Sequence, residues 1–358
     1  MTVQVGKMYE DDPEVGIALE EGTNSIQKKR KTEVASSCST HKDPLTHILI
    51  DDTKSFIKEK FLVEMPADFY SFWDFCKSIK KNDPCNALAN VDLCLIGPYD
   101  VLAEKFINVN KPPEDYLIHW RYYHDPPEFQ AVLKQNHSGE FHIGYFRDDP
   151  SELPVFLAGN NSKENGEFAC MGENIFAAVW QYLESFKKKC DPFKKLTINS
   201  VQNNLKKYTE NLQLCLDVTT DRIKERNKKI VVRTFNSIGL VIPYNRKTQM
   251  GYRHLCVDNK ELKKLLDRVS TASVQQKDKV MSELQPILTA TSIATDECDF
   301  GTGIELGWDI LAHGIGSLNS IIARYLAINY ELIDRGAFAK ISRAHMDNRR
   351  KGVDLSIL

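Results

Sequence analysis

Apolar and polar positions divide the chain into a polar lead, a mixed α+β stretch and a helix-rich remainder. Residues 1–43 contain Tyr9 as their only aromatic and mix Asp11-Asp12 and Glu20-Glu21 with the basic run Lys28-Lys29-Arg30-Lys31. Such a segment cannot bury enough apolar surface to offset the entropy of ordering, which predicts a disordered polar tail over 1–50. From Pro66 the pattern changes: Phe69, Phe72, Trp73 and Cys76 recur on one helical face behind a proline that suits a first turn. Residues 174–188 repeat that periodicity. Between the two helices, runs at 116–123, 141–146 and 154–158 read as strands, with Arg147-Asp148-Asp149-Pro150 as the turn between the last two. Helices flanking an antiparallel sheet define an N-terminal α+β domain over 51–190. Further on, 230–235 and 239–243 read as a short hairpin, and 259–273 and 279–293 as helices. Apolar residues from Ile304 to Ile328 fit one or two buried helices. The fold class expected is therefore α+β in two domains, the second a mainly helical one over 191–350 with a small hairpin, followed by a tail at 351–358.

Composition adds little to this outline and rules out some classes. The 358 residues, 42% hydrophobic and 27% charged, are ordinary for a globular chain. No apolar run approaches the ~18 residues of a membrane span, and the start lacks a signal-peptide core, so a soluble intracellular protein with no membrane partner is expected. Nine cysteines are scattered without a Cys-x-x-Cys pair, which fits a reducing compartment and offers no zinc spacing. Cys38, His41 and His47 lack a fourth ligand. Trp120, Tyr122, Tyr123 and Phe129 read as core, and His119, His124 and His142 as structural histidines.

Charge singles out two stretches. Residues 187–233 carry thirteen Lys or Arg against five Asp or Glu. That is either a phosphate-contacting surface able to reach chromatin or a solvated helical connection; the second is favoured because no aromatic interleaving accompanies the charge. Residues 280–323 contain no Lys or Arg but hold Glu283, Asp296, Glu297, Asp299, Glu305 and Asp309. Like charges held close cost stability unless something offsets them, so neutralising Asp296 or Asp299 is expected to stabilise the free protein. Gly301, Gly303 and Gly307 place Asp296, Glu297 and Asp299 at a helix end or in the tight loop after it. The register does not suit a calcium loop. A solvated acidic face, another divalent-metal site and a general base all remain open. Cys298, among acids, reads as a buried small hydrophobe, and Arg253 after Tyr252 either neutralises the acids or anchors a partner.

The stretch from Asp296-Glu297-Cys298-Asp299 through Gly301 and Gly303 to Glu305-Leu306-Gly307 resembles the acidic loop of the histone PARylation factor family. Three further stretches match in order: 120–130, Gly144-Tyr145-Phe146-Arg147-Asp148, and Gly239-Leu240-Val241-Ile242-Pro243 leading to Gly251-Tyr252-Arg253. The resemblance covers roughly 61–349. It implies an accessory factor that is not an enzyme alone. Such a factor docks on the catalytic domain of a DNA-damage-activated poly(ADP-ribose) polymerase and completes its active site, so that serine, for example on histones, accepts ADP-ribose from NAD. It further implies Glu297 as the catalytic base and Tyr252, Arg253, Asp296 and Asp299 as partner-binding residues. The chain would bind no cofactor or metal itself, NAD being the partner's substrate, and would work in the nucleus at damaged chromatin. The run at 28–31 resembles a short nuclear import signal. Phe300 replaces a tyrosine of the family pattern, His254 an acidic residue, and 311–319 lacks a more aromatic and basic stretch. The alternatives are a nuclear adaptor without catalytic role and a metal-dependent hydrolase using the acidic cluster.

Overall fold

In the computed structural model, which describes residues 44–136 and 139–358, five strands form one antiparallel sheet. The strands β1 (Leu93–Leu95), β2 (Phe129–Gln135), β3 (Phe141–Phe146), β4 (Phe156–Asn161) and β5 (Ala169–Gly172) pair strictly in sequence order. The twelve α-helices among the described residues are α1 (Pro44–Phe61), α2 (Ala67–Ile79), α3 (Tyr99–Leu102), α4 (Pro113–Leu117), α5 (Ile175–Lys187), α6 (Pro192–Leu212), α7 (Asp221–Lys228), α8 (Asn259–Thr271), α9 (Val274–Asp296), α10 (Phe300–His313), α11 (Asn319–Leu332) and α12 (Gly336–Asp347).

The sheet is buried on both faces, and strand alternation sorts its side chains into two cores. Ile143, Tyr145 and Leu157 face one way, toward Phe61 of α1, Phe69 and Phe72 of α2, Phe176 of α5 and Leu205 of α6. Phe129, Phe146, Phe156 and Ala158 face the other, toward the C-terminal helices, where Trp308 meets Phe146 edge-on at 6.0 Å. A register shift between Ala131 and Leu133 lets β2 serve both cores. α10 is buried from Gly301 to Ala312, the pattern of a helix apolar all round.

Several expectations need correcting. The run 116–123 is not a strand: Pro112 and Pro113 start the short α4, and Trp120 sits at a left-handed φ of 54°. Its aromatics are buried by a polar web instead. His119 and Trp120 both bond the Asp100 carboxylate, at 2.9 and 3.0 Å, and Arg121 donates to the carbonyls of Leu117 and Pro126. His142 bonds Asp125 at 2.8 Å, a structural role like that of His119. The hairpin shrinks to an antiparallel bridge between Val232 and Leu240. Residues 351–358 are packed rather than a tail: Leu355 is 1% exposed and its carbonyl accepts from Trp120 N. At the other end α1 already begins at Pro44, and residues 1–43, with the basic run 28–31, lie outside the described residues. Residues 44–358 form one compact unit. α6, which the expected boundary near 190 assigns to the second domain, packs in the same core as α1, α2 and α5. No helix among the described residues is long and apolar enough to cross a membrane.

Candidate functional site

The acidic stretch is the corner between α9 and α10, only three residues long. Ser273 opens α9 with a capping box to Gln276. At its other end Asp296 is the last helical residue, Glu297 the C-cap, and Cys298 has a left-handed φ of 68°. Cys298 N donates to Thr295 O at 3.1 Å and Asp299 N to Ala294 O at 2.8 Å. This is the double bond pattern of a Schellman motif with a cysteine where glycine is usual. The turn closes without slack, and Asp296, Glu297 and Cys298 all face solvent. Cys298 is therefore not the buried hydrophobe expected, because its left-handed backbone turns the side chain away from the core.

Gly301 and Gly303 also depart from expectation, lying in the first turn of α10 rather than a loop. A Cβ on Gly301 would come within 2.2 Å of Ile242 Cδ1, and one on Gly303 within 2.0 Å of Asn329 Nδ2. Close approach, not backbone freedom, explains both glycines. The approach at Gly301 brings the 251–253 segment against the helix start. Gly301 N donates to Gly251 O at 2.9 Å, Gly251 N to Asp299 Oδ1 at 3.0 Å, and Arg253 N to Thr302 Oγ1 at 3.1 Å.

Arg253 is thereby aimed at the corner. Its Nε donates to Asp299 Oδ2 at 2.6 Å and its second amino nitrogen bonds Glu297 Oε2. These bonds, the Glu297 one foremost, push the guanidinium pKa upward. Arg253 thus neutralises the cluster from within. Asp299 is buried by this arrangement, whereas Glu297 stays exposed. Tyr252 points the other way. It is 5% exposed, and its hydroxyl donates to Glu305 Oε2 at 3.1 Å and lies 3.1 Å from His254 Nδ1. Tyr252 supports the segment that presents Arg253, and its ring is not available on the surface.

The six carboxylates therefore do not converge. Glu283 pairs with Arg268 on α8, a cation that sequence distance hid. Glu305 and Asp309 lie one turn apart inside α10, where burial pushes the Glu305 pKa up to about 7 and that of Asp309 well above the carboxylate range. Asp309 accepts from Phe235 N at 2.8 Å, while its Oδ2 is buried without a partner. Among the described residues no group of three or more His, Cys, Asp or Glu is arranged to hold a metal ion. Beside the corner lies an open depression of about 850 Å³, lined in part by Tyr244, Arg246, Met250, Cys298, Phe300 and Leu332. The sequence reading missed this depression, whose walls come from residues 243–251, the corner and the end of α11. The separate apolar residues were visible, but not their meeting.

Fold and corner define a scaffold that presents two exposed carboxylates, Asp296 and Glu297, the second paired with Arg253. The family model of histone PARylation factor 1 matches residues 52–349. Histone PARylation factor 1 of Bos taurus is 36% identical over 302 residues, covering 83% of this chain and 87% of that protein. The Danio rerio protein of the same name is 36% identical, covering 84% and 86%, and a putative histone PARylation factor 1-like protein of Homo sapiens is 35% identical over 305 residues. The chain belongs to the histone PARylation factor family.

Proposed function

We propose that this protein is an accessory factor that completes the active site of a poly(ADP-ribose) polymerase, supplying Glu297 as the base that directs ADP-ribose onto serine. The names of its relatives support a role in histone PARylation. The observation that carries the catalytic part is the state of Glu297: exposed, on a corner closed by two backbone hydrogen bonds, and bonded through Oε2 alone, so that Oε1 is left for an incoming hydroxyl. In the reaction the serine oxygen bonds to the anomeric carbon of the NAD ribose as the bond to nicotinamide breaks. The hydroxyl proton passes to Glu297, and nicotinamide leaves as a neutral molecule. A serine is not ionised at neutral pH, so the proton has to leave as the bond forms, a service worth ~10²- to 10⁴-fold in rate. Asp296, on the same exposed corner, adds negative field that draws basic histone tails. Arg253, about half exposed, can exchange an internal carboxylate for one on the polymerase. A role on histones would put the protein at nuclear chromatin.

The test is a reaction of NAD, a histone peptide, activated polymerase and this protein, with modified residues mapped. Glu297→Gln is expected to abolish serine modification while keeping polymerase affinity within about twofold. Serine modification at the parental rate would remove the base from Glu297 and leave an adaptor. Loss of binding equal to the loss of activity would mean that Glu297 docks rather than catalyses.

A further inference from the structure

The thirteen basic residues between 187 and 233 meet different fates in the fold. Arg226 is 4% exposed and clasps Asp148 at 2.8 Å, while Arg222 donates to Pro154 O at 3.0 Å. Lys224 pairs with Asp221 and Lys228 with Glu225. That part of the segment is spent on holding α7 to the sheet edge and to itself.

On α6 and the turn before it the lysines are left over. Lys188, Lys189, Lys194, Lys195, Lys206 and Lys207 are exposed, and none forms an ion pair among the described residues. α6 turns Ile198, Val201 and Leu205 inward; with 3.6 residues per turn Lys207 stands opposite that stripe, Lys195 and Lys206 on one flank, and Lys194 in the exposed first turn. Asn199, Ser200, Asn203 and Asn204 lie between them, and no acidic residue occurs from Pro192 to Thr209. At ~1.5 Å per residue the two lysine pairs are about 18 Å apart. Of the two acids that flank this stretch, Asp191 is turned onto the helix start, where it accepts from Phe193 N and Lys194 N at 3.0 Å each, and Glu210 is exposed one turn beyond Lys206 and Lys207 with no ion pair among the described residues. Among these lysines Phe193 and Leu196 are 84% and 69% exposed. The aromatic residue that the sequence reading did not find is thus present, at the tip of the basic face.

We propose that the exposed surface of α6 binds duplex DNA, its lysines lying along the phosphates and Phe193 with Leu196 meeting the sugar and base surface. The spacing is enough to reach phosphates on both sides of a major groove ~12 Å wide. The lysines are flexible point charges, which suit a continuous polyanion that offers charge at every register; fixed carboxylates on a protein favour the planar fork of arginine, and the exposed face of α6 carries none. An apolar tip among cations fits the unstacked or groove-facing surface of nucleic acid, as in proteins that wedge apolar side chains into DNA.

The experiment is fluorescence anisotropy of a short, labelled, blunt-ended duplex with the full chain, repeated across a salt series. Replacing Lys194, Lys195, Lys206 and Lys207 together by Gln should weaken binding at least tenfold at low salt and reduce the slope of log affinity against log salt by roughly 3 to 4. Phe193→Ser should weaken binding with the slope unchanged. All these side chains are exposed, so thermal unfolding of the variants should match the parent. Glu297→Gln should keep parental DNA affinity, which separates this surface from the reading of the acidic corner. The assignment is overturned if the parent does not bind the duplex at low salt, if the fourfold variant keeps the parental slope, or if polyglutamate of matched charge displaces the duplex as well as unlabelled DNA does.

Discussion

Arg253 holds two carboxylates with unequal needs. Asp299 is buried at the corner and depends on Arg253 Nε and Gly251 N, whereas Glu297 faces water and contributes little stability there. Charge neutralisation should therefore act in opposite ways at neighbouring positions. Asp299→Asn removes a charge-assisted bond and should cost roughly 1–2 kcal/mol, lowering Tm by a few degrees. Asp296→Asn relieves repulsion at an exposed site and should leave Tm unchanged or slightly higher. Thermal unfolding near neutral pH decides the matter: a rise in Tm for Asp299→Asn would mean that Arg253 does not quench the cluster. The expectation that either substitution would stabilise rested on charge spacing and left open whether Arg253, 46 residues from Asp299 in sequence, folds back onto the acids; in the structure it does.

At the scale of elements, the corner depends on a residue other than glycine in the left-handed region. A cysteine there is tolerated at a cost of ~1–2 kcal/mol, which the two Schellman bonds and the packing of α9 on α10 oppose. Cys298→Gly should relieve that cost while adding freedom to the unfolded chain, for a net gain between zero and about 1 kcal/mol. Cys298→Val puts a β-branched side chain at φ 68° and should lose about 2 kcal/mol or more. Chemical denaturation of both variants checks this. Equal stability of the Gly and Val variants would show that the corner relaxes freely and does not hold Glu297 in place.

For the whole molecule, buried ionisable groups tie stability to pH. Burial raises the pKa of Glu305 to about 7, above its unfolded value near 4.5. The folded state therefore holds a proton that the unfolded state releases, so the stability from this group is present in full at low pH and lost as pH rises through about 7. The groups facing it are Tyr252, whose hydroxyl donates to it and also meets the exposed His254, and Asp309 one turn along. Histidines work in the opposite sense: burial lowers His124 to about 4, so its contribution is lost only as pH falls toward that value. A difference measurement isolates the carboxyl group. Glu305→Gln keeps an acceptor for Tyr252 but cannot ionise, so its Tm relative to the parent should rise between pH 5 and 8. A difference that stays flat over that range would mean that Glu305 is ionised in the folded protein throughout.

Much of this was legible in the sequence. Periodicity located α2, α5, α8 and α10, alternation located β3, and the absence of Lys and Arg over 280–323 marked the stretch that holds the corner. These are local properties, set by side chains that need one face buried, and local pattern reports them directly. The fate of each charge was decided only in three dimensions. Arg253 meets Glu297, and Arg268 meets Glu283, because chain segments far apart in sequence pack side by side. Glu305 and Asp309, written like their acidic neighbours, are buried because α10 is enclosed all round. Gly301 and Gly303 lie inside a helix because other segments press on them, and Tyr252 turns inward while the residue after it faces the corner. Coulomb interaction and desolvation depend on distance through space and on access to water, and a one-dimensional pattern contains neither.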